Sequence, residues 1–254
     1  MKVLVTFAVE PEFSAWRKSR KFAAKEWRGV PIYTAEIGSA SVAVVLTGMG
    51  PANARRAVEV ALSPEHTLCI SSGFAGGLKA EHEVADLLVA GAVRQLGNAE
   101  IMRCDAGLVE EALRANGAVG VKNFVSVENV AASAEEKAGL AELGDAVEME
   151  SYAVLSVAQQ RKVPAVAIRA ISDRLDQKLP MDFSGSIDDS GNIQKMKLAR
   201  QIASDPSKIP ALIRLGKQST AAANRLAEFL ENYIELLSKH DAGKAARFEK
   251  VAQS

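Results

Sequence analysis

Two cysteines, three histidines and an aromatic share of 5% are little for 254 residues, and each shortage closes a class of function. Cys69 and Cys104 are too few for a disulfide framework, and Cys69 sits inside an apolar run, so a reducing, cytoplasmic setting is expected. His66, His82 and His240 are scattered, with no partner at ligand spacing, so neither a metal site nor a cofactor is expected. Charge of one sign is also missing: 31 Lys and Arg balance 31 Asp and Glu. That balance recommends neither a nucleic acid nor an anionic membrane as partner. No apolar run reaches the roughly 18 residues that span a bilayer. The amino terminus has only Lys2 before its apolar run and lacks the cleavage pattern of a signal peptide. Common catalytic loops are absent too. Gly48-x-Gly50 meets Asn53 where a dinucleotide fingerprint needs its third glycine, and there is no phosphate-loop lysine motif and no nucleophile elbow. What remains are acids and glycines at strand ends.

The rest of the chain is an ordinary globular balance, 48% apolar and 24% charged. Val3–Val9 reads as a buried strand, and Glu10-Pro11-Glu12 as a helix start, with proline early and acids in the first turn. Residues 17–28 read as the solvated end of that helix plus a loop. Residues 30–37 and 41–47 form a hairpin across Gly38-Ser39. A turn at Thr47-Gly48-Met49-Gly50-Pro51 precedes a helix over 52–62. Residues 67–72 and 84–93 read as strands either side of Gly73-Phe74-Ala75-Gly76-Gly77-Leu78, the densest glycine cluster. A helix over 107–116 and a strand over 118–127 follow. Ser133 and Glu136 make a capping box for a helix over 134–143. Ala146–Tyr152 reads as an acidic helix start, and 165–171 as a buried strand ending in Ser172-Asp173. Residues 174–192 read as a long polar loop. Residues 193–239 read as helix interrupted at Pro206 and Pro210, with an apolar face from Leu226 to Leu237 for the sheet or a partner. Residues 240–254 are charged and suited to fraying. The alternation specifies an α/β fold, three layers around a mixed sheet. It forms a single domain over 1–254 with a helical extension from about 193.

Each acid has a plain reading beside a chemical one. Asp173 suits a strand-terminating turn as well as a general acid. Glu12 suits a helix dipole. Glu148 and Glu150 suit a solvated helix start, and Met149 a core position. The glycines suit a turn, or a place where backbone approaches a ligand. The case for chemistry rests on their order along the chain.

That order resembles the nucleoside phosphorylase/nucleosidase superfamily, and within it the methylthioadenosine/S-adenosylhomocysteine nucleosidases. The resemblance covers Met1 to about Phe183. It runs through Met1-Lys2-Val3 to Glu12, through Thr47-Gly48-Met49-Gly50 and through Gly73–Leu78. Val147-Glu148-Met149-Glu150 and Arg169-Ala170-Ile171-Ser172-Asp173 are its specific parts. It implies cleavage of the N-glycosidic bond of a purine nucleoside. Asp173 would protonate the base, from a pocket that keeps its carboxyl protonated. Glu12 would activate water, Glu150 would bind ribose hydroxyls and Met149 would pack on the sugar. Glu148, Phe74, Thr47, Gly48, Ala75, Gly76, Val130 and Ser172 would complete the substrate wall. A homo-oligomer is implied as well.

Departures from the family pattern shape the expected chemistry. Phe74 replaces a serine, Ile70-Ser71-Ser72 lacks the phosphate-holding arginine, and Glu10-Pro11-Glu12 replaces a Gly-Asp-Pro turn. These favour water over phosphate as nucleophile. The usual stacking aromatic is missing around Val127, Asn129 and Val130, the segment after Val93 is short, and the carboxyl-terminal extension is long. They imply a divergent subgroup with a bulky 5′ substituent, as in the hopanoid-associated phosphorylases that the chain also resembles. The rivals are phosphorolysis, with phosphate as second substrate, and a non-catalytic nucleoside-binding protein.

Overall fold

The computed structural model describes residues 1–115, 117–180 and 204–252, together with positions 188, 191, 194, 197 and 200; side chains are described as far as residue 243. The expected loop over 174–192 and the expected helix over 193–203 therefore lie largely outside the described residues.

Eleven strands form one mixed sheet in the order β2-β3-β4-β1-β5-β11-β6-β10-β9-β7-β8. β1 (Lys2–Phe7) lies parallel to β4 (Ala40–Leu46) and to β5 (Leu68–Ser71). β3 (Val30–Ile37) pairs antiparallel with β4, and β2 (Ala23–Trp27) with β3. The long β11 (Ala165–Asp173) changes partners along its length. Its first residues pair with β5, its last with β6 (Phe74–Gly77), and its middle with β7 (Leu87–Gln95) on the other edge. β9 (Ala118–Ser126) joins β7 to β10 (Ala146–Glu148), and β10 returns to β6. Five strands, β11, β6, β10, β9 and β7, thereby close a small barrel. β8 (Ile101–Arg103) edges β7.

Helices cover both faces. α1 (Glu10–Ser19), α3 (Ala106–Arg114) and the 44-residue α6 (Ile209–Ala252) pack together on one side, and α2 (Pro51–Ala61) and α5 (Ser151–Gln160) on the other. α4 (Ala134–Leu140) starts from the Ser133–Glu136 capping box read from the sequence. The apolar face from Leu226 to Leu237 packs into this chain's own core: Leu226, Leu230, Tyr233 and Ile234 are fully buried, each burial stabilising by about 1.5–3 kcal/mol. Phe7, Phe13, Trp16, Phe22 and Tyr33 form an aromatic cluster beneath α6. Glu231 on α6 accepts from the Trp16 indole at 2.8 Å and from Arg20 Nε at 2.8 Å. Among the described residues no helix is long and apolar enough to cross a membrane.

Five local expectations change. Residues 23–27 are a strand, not loop; all five are exposed and hold their place by pairing with β3, so no burial alternation marks them. The glycine cluster is strand β6, squeezed between β11 and β10. Glu148 ends a strand instead of starting a helix, because Ala146 and Val147 are buried between β6 and β9; the helix begins at Ser151. Pro210 opens α6 at its second residue, where a missing N–H breaks no helical bond. α6 runs on to Ala252, past the helix end expected at 239.

Candidate active site

A cleft of about 260 Å³ opens where β1, β9, β10 and β11 end. A larger one, about 590 Å³, lies at the opposite, amino ends, between Met1, Thr67 and Pro164. Open α/β sheets bind ligands at the carboxyl ends, and the first cleft holds Gly76 together with Glu12, Glu148, Glu150 and Asp173.

Glu12 is the third residue of α1, and its carboxylate folds back over the helix start. Oε2 accepts from the Ala8 and Val9 N–H groups at 2.7 and 3.1 Å, and Oε1 from Phe74 N–H at 2.8 Å. The carboxylate that satisfies the helix start also lines the cleft. Burial pushes its carboxyl above the ordinary carboxylate range, against the three backbone donors and the Arg169 charge. Gly73 makes room for this carboxylate. Its φ is +142°, and a Cβ there would stand 2.6 Å from Glu12 Oε1.

Glu150 sits at the start of α5. Its Oε1 accepts from Gly50 N–H at 2.8 Å, which ties the turn before α2 to the cleft. Burial and the neighbouring Glu148 charge push its carboxyl up to about 8, with Arg169 opposing. Glu148 is differently placed. Its Oε2 accepts from Glu150 N–H at 3.0 Å, Ser151 N–H at 2.7 Å and Arg169 Nη2 at 2.6 Å, and its Oε1 from the Ser126 hydroxyl. Burial works against the charged form, but the Arg169 guanidinium, the Ser126 hydroxyl and the backbone donors outweigh it and hold the carboxyl below the ordinary value. Glu148 touches the cleft wall, yet both its oxygens are engaged with the protein; it fixes the 148–151 turn and the guanidinium.

Asp173 ends β11 at an irregularity: the pairing with β6 slips between Ile171 and Asp173. Such a bulge re-aims side chains. The Ser172 hydroxyl donates to Asp173 Oδ1 at 2.6 Å. Oδ2 is ion-paired with Lys137 of α4, whose side chain is fully buried. The same ammonium donates to the Arg174 carbonyl at 2.7 Å and the Gln177 carbonyl at 3.1 Å. The Asp173 carboxyl thus faces a buried cation that the sequence reading did not expect. Gly76 permits the close packing, since a Cβ there would lie 3.1 Å from Asp173 Oδ2 and 3.4 Å from Lys137 Cε.

The rest of the wall is apolar. Val9, Pro11, Met49, Phe74, Ala75, Val127, Val130, Ala131, Met149 and Leu179 line it, with Leu215 and Ser219 from α6. Gln177 and Gln218 exchange amide hydrogen bonds at 2.8 and 3.0 Å, and Leu179 N–H donates to Ala132 O at 2.9 Å. These contacts hold the segment after Asp173 against α6 and α4. Asp173, Glu12, Glu150, Met149, Glu148, Phe74, Ala75, Gly76, Val130 and Ser172 all reach the cleft. Thr47 and Gly48 stand outside its lining: the Thr47 hydroxyl donates to the Gly48 carbonyl at 2.8 Å, and the next residue, Met49, reaches the wall. Lys137, Ser126, Leu179, Leu215 and Ser219 were not anticipated. Among the described residues no group of three or more His, Cys, Asp or Glu is arranged to hold a metal ion.

Known proteins share this architecture. The chain superposes on the methylthioadenosine/S-adenosylhomocysteine nucleosidase of Campylobacter jejuni with a TM-score of 0.72 at 19% identity, covering 92% of this chain and 99% of that one. The corresponding Neisseria meningitidis nucleosidase, in complex with methylthio-immucillin-A, gives 0.70 at 22% identity, covering 92% and 98%. A futalosine hydrolase mutant of Helicobacter pylori gives 0.68 at 19% identity, covering 92% and 99%. These likenesses establish the fold. The profile of the phosphorylase superfamily matches residues 2–204, most of the chain and every acid of the cleft, and the chain belongs to that superfamily.

Proposed function

We propose that this protein hydrolyses the N-glycosidic bond of a purine nucleoside, an adenosine derivative with an apolar 5′ substituent. One observation carries the choice of water over phosphate. Among the described residues the cleft is lined by four acids, Glu12, Glu148, Glu150 and Asp173, and by no lysine or arginine. A phosphate dianion in such a site would find no lysine or arginine on the wall to hold it, because the nearby cations, Lys137 and Arg169, stand behind the wall and are already paired with Asp173 and Glu148. The Campylobacter and Helicobacter relatives carry names that also describe hydrolysis, of a methylthioadenosine or a futalosine. The apolar wall from Val9, Pro11, Met49 and Leu215 suits a hydrophobic group on the 5′ carbon.

The chemistry follows from the placement of the acids. When the bond between C1′ and the base nitrogen breaks, its electron pair moves into the purine, and Asp173 is the acid that delivers a proton to N7. The sugar develops positive charge, and the surrounding carboxylates favour it. Water then adds to C1′ and gives its proton to Glu12, whose carboxylate, held less acidic than usual by burial, is a stronger base than an ordinary one. Glu150, largely neutral at pH 7, can donate to one ribose hydroxyl and accept from another. Met149 packs on the sugar.

The test is direct. The protein is incubated with methylthioadenosine, adenosylhomocysteine, adenosine and inosine, with and without phosphate, and free base and sugar phosphate are assayed. Base release that is indifferent to phosphate is expected. Ribose 1-phosphate among the products would replace hydrolysis by phosphorolysis, and tight nucleoside binding with no base released would replace the enzyme by a binding protein.

A further inference from the structure

Lys137 is the buried charge for which the cleft chemistry has no use. It belongs to α4, is fully buried, and does not reach the cleft wall; it stands behind Asp173, which does. All three ammonium hydrogens have acceptors: Asp173 Oδ2 and the carbonyls of Arg174 and Gln177. That set matches the charged form of lysine, which has three donors and no acceptor. An Asp173 carboxylate paired with it has no proton to give, although the proposed reaction requires one at N7.

We propose that Lys137 is the source of that proton and acts through Asp173. This rests on the nucleosidase reading above. In the free protein the pair is ammonium and carboxylate. A purine that fills the cleft expels water from the cleft side of Asp173, and a drier site makes two separated charges costlier to maintain. One proton then crosses from Lys137 Nζ to Asp173 Oδ2, leaving a neutral amine and a neutral acid. As the bond from C1′ to the base breaks, its electron pair enters the purine and the Asp173 proton passes to N7. The base leaves neutral, and Asp173 is again a carboxylate facing a neutral amine. Once the base has left, water in the reopened cleft returns a proton through Asp173 to Lys137. Gly76 leaves room for the pair to stand in contact, and the two backbone carbonyls hold Nζ in place through either state.

The proposal makes the conservative substitution the more damaging one. In Lys137→Arg the guanidinium keeps its proton, and Asp173 stays an ion-paired carboxylate. In Lys137→Met a buried Asp173 without a counter-charge takes its proton from solvent and can still serve as donor. Expected on the nucleoside that the wild type hydrolyses is a kcat loss of about 100-fold or more for Lys137→Arg and about tenfold or less for Lys137→Met, with KM little changed. A second substrate, 4-nitrophenyl riboside, has a leaving group that departs as a stable anion and needs no proton. Both variants should cleave it within about threefold of the wild-type rate, which also shows that they fold and keep their sugar machinery. Wild-type kcat in Lys137→Arg overturns the proposal, as does an equal slowing of both substrates, which marks a structural role. A wild type that releases base from no nucleoside overturns the parent reading and this one with it. Wild-type hydrolysis with indifferent Lys137 variants overturns this one alone.

Discussion

The two ends of the cleft treat their acids in opposite ways. At one end Asp173 carries its own cation, the buried Lys137, and a serine hydroxyl on its other oxygen. At the other, Glu12 and Glu150 rely on backbone: Ala8, Val9 and Phe74 N–H groups for the first and Gly50 N–H for the second. Arg169 is nearby, but it is committed to Glu148 at 2.6 Å and stands 3.9 Å from Glu150. Backbone dipoles offset part of the burial and no more, so both glutamates are pushed up. In the proposed hydrolysis the difference separates two jobs. The end that passes a proton on has a partner with a proton of its own. The end that faces a developing sugar cation has acids whose nearest cation, Arg169, is already committed to Glu148.

The largest effect should come from breaking the base end. Asp173→Asn removes the donor and leaves Lys137 without its carboxylate; a loss of about 10²–10⁴ in kcat is expected, with nucleoside binding retained, as measured by turnover and by equilibrium binding. Undiminished turnover would end the comparison. Next comes the charge that serves neither end directly. Arg169→Met leaves Glu148 buried and unpaired, and removing one partner of a buried pair costs about 3–5 kcal/mol; chemical denaturation should show it as a lower midpoint. The smallest effect concerns pH. The Glu150 carboxyl is raised from 4.5 to about 8 in the folded protein. Between those values the folded state holds a proton that the unfolded chain has released, so this group's contribution to stability is full below pH 4.5 and fades as pH rises towards 8. Glu150→Gln should therefore gain stability relative to wild type as pH rises across that window. A difference that stays flat with pH would show that Glu150 titrates as an ordinary carboxylate.

How much of this could be read from the sequence depends on what each residue's neighbours are. Glu12, Glu150 and Asp173 were legible because each sits at the end of a recognisable element, and strand ends converge in an α/β fold. The glycines at 73 and 76 were legible as a place of close approach, though not as a strand, because β6 is held by pairing with β10 and β11 far along the chain. β2 escaped for a similar reason, having no buried face at all. Lys137 was the costliest omission. In Ala134-Glu135-Glu136-Lys137 it looks like one more charge on a solvated helix start. Its burial depends on the end of β11 and the carbonyls of 174 and 177 arriving from nearly forty residues away. Leu215 and Ser219 were hidden likewise, since nothing local says that α6 passes over the cleft.

That last placement has a consequence for how the family could vary its substrates. α6 is one unbroken rod, seated in the core by Leu226, Leu230, Tyr233 and Ile234 and bearing Leu215 and Ser219, one turn apart, at the cleft. A helix turns about 100° per residue. One residue inserted between positions 219 and 226 would leave the seated half in register and swing a different set of side chains over the ligand. The rod works as an indexing dial: its length sets which side chains of α6 reach the cleft, with every acid of the cleft untouched.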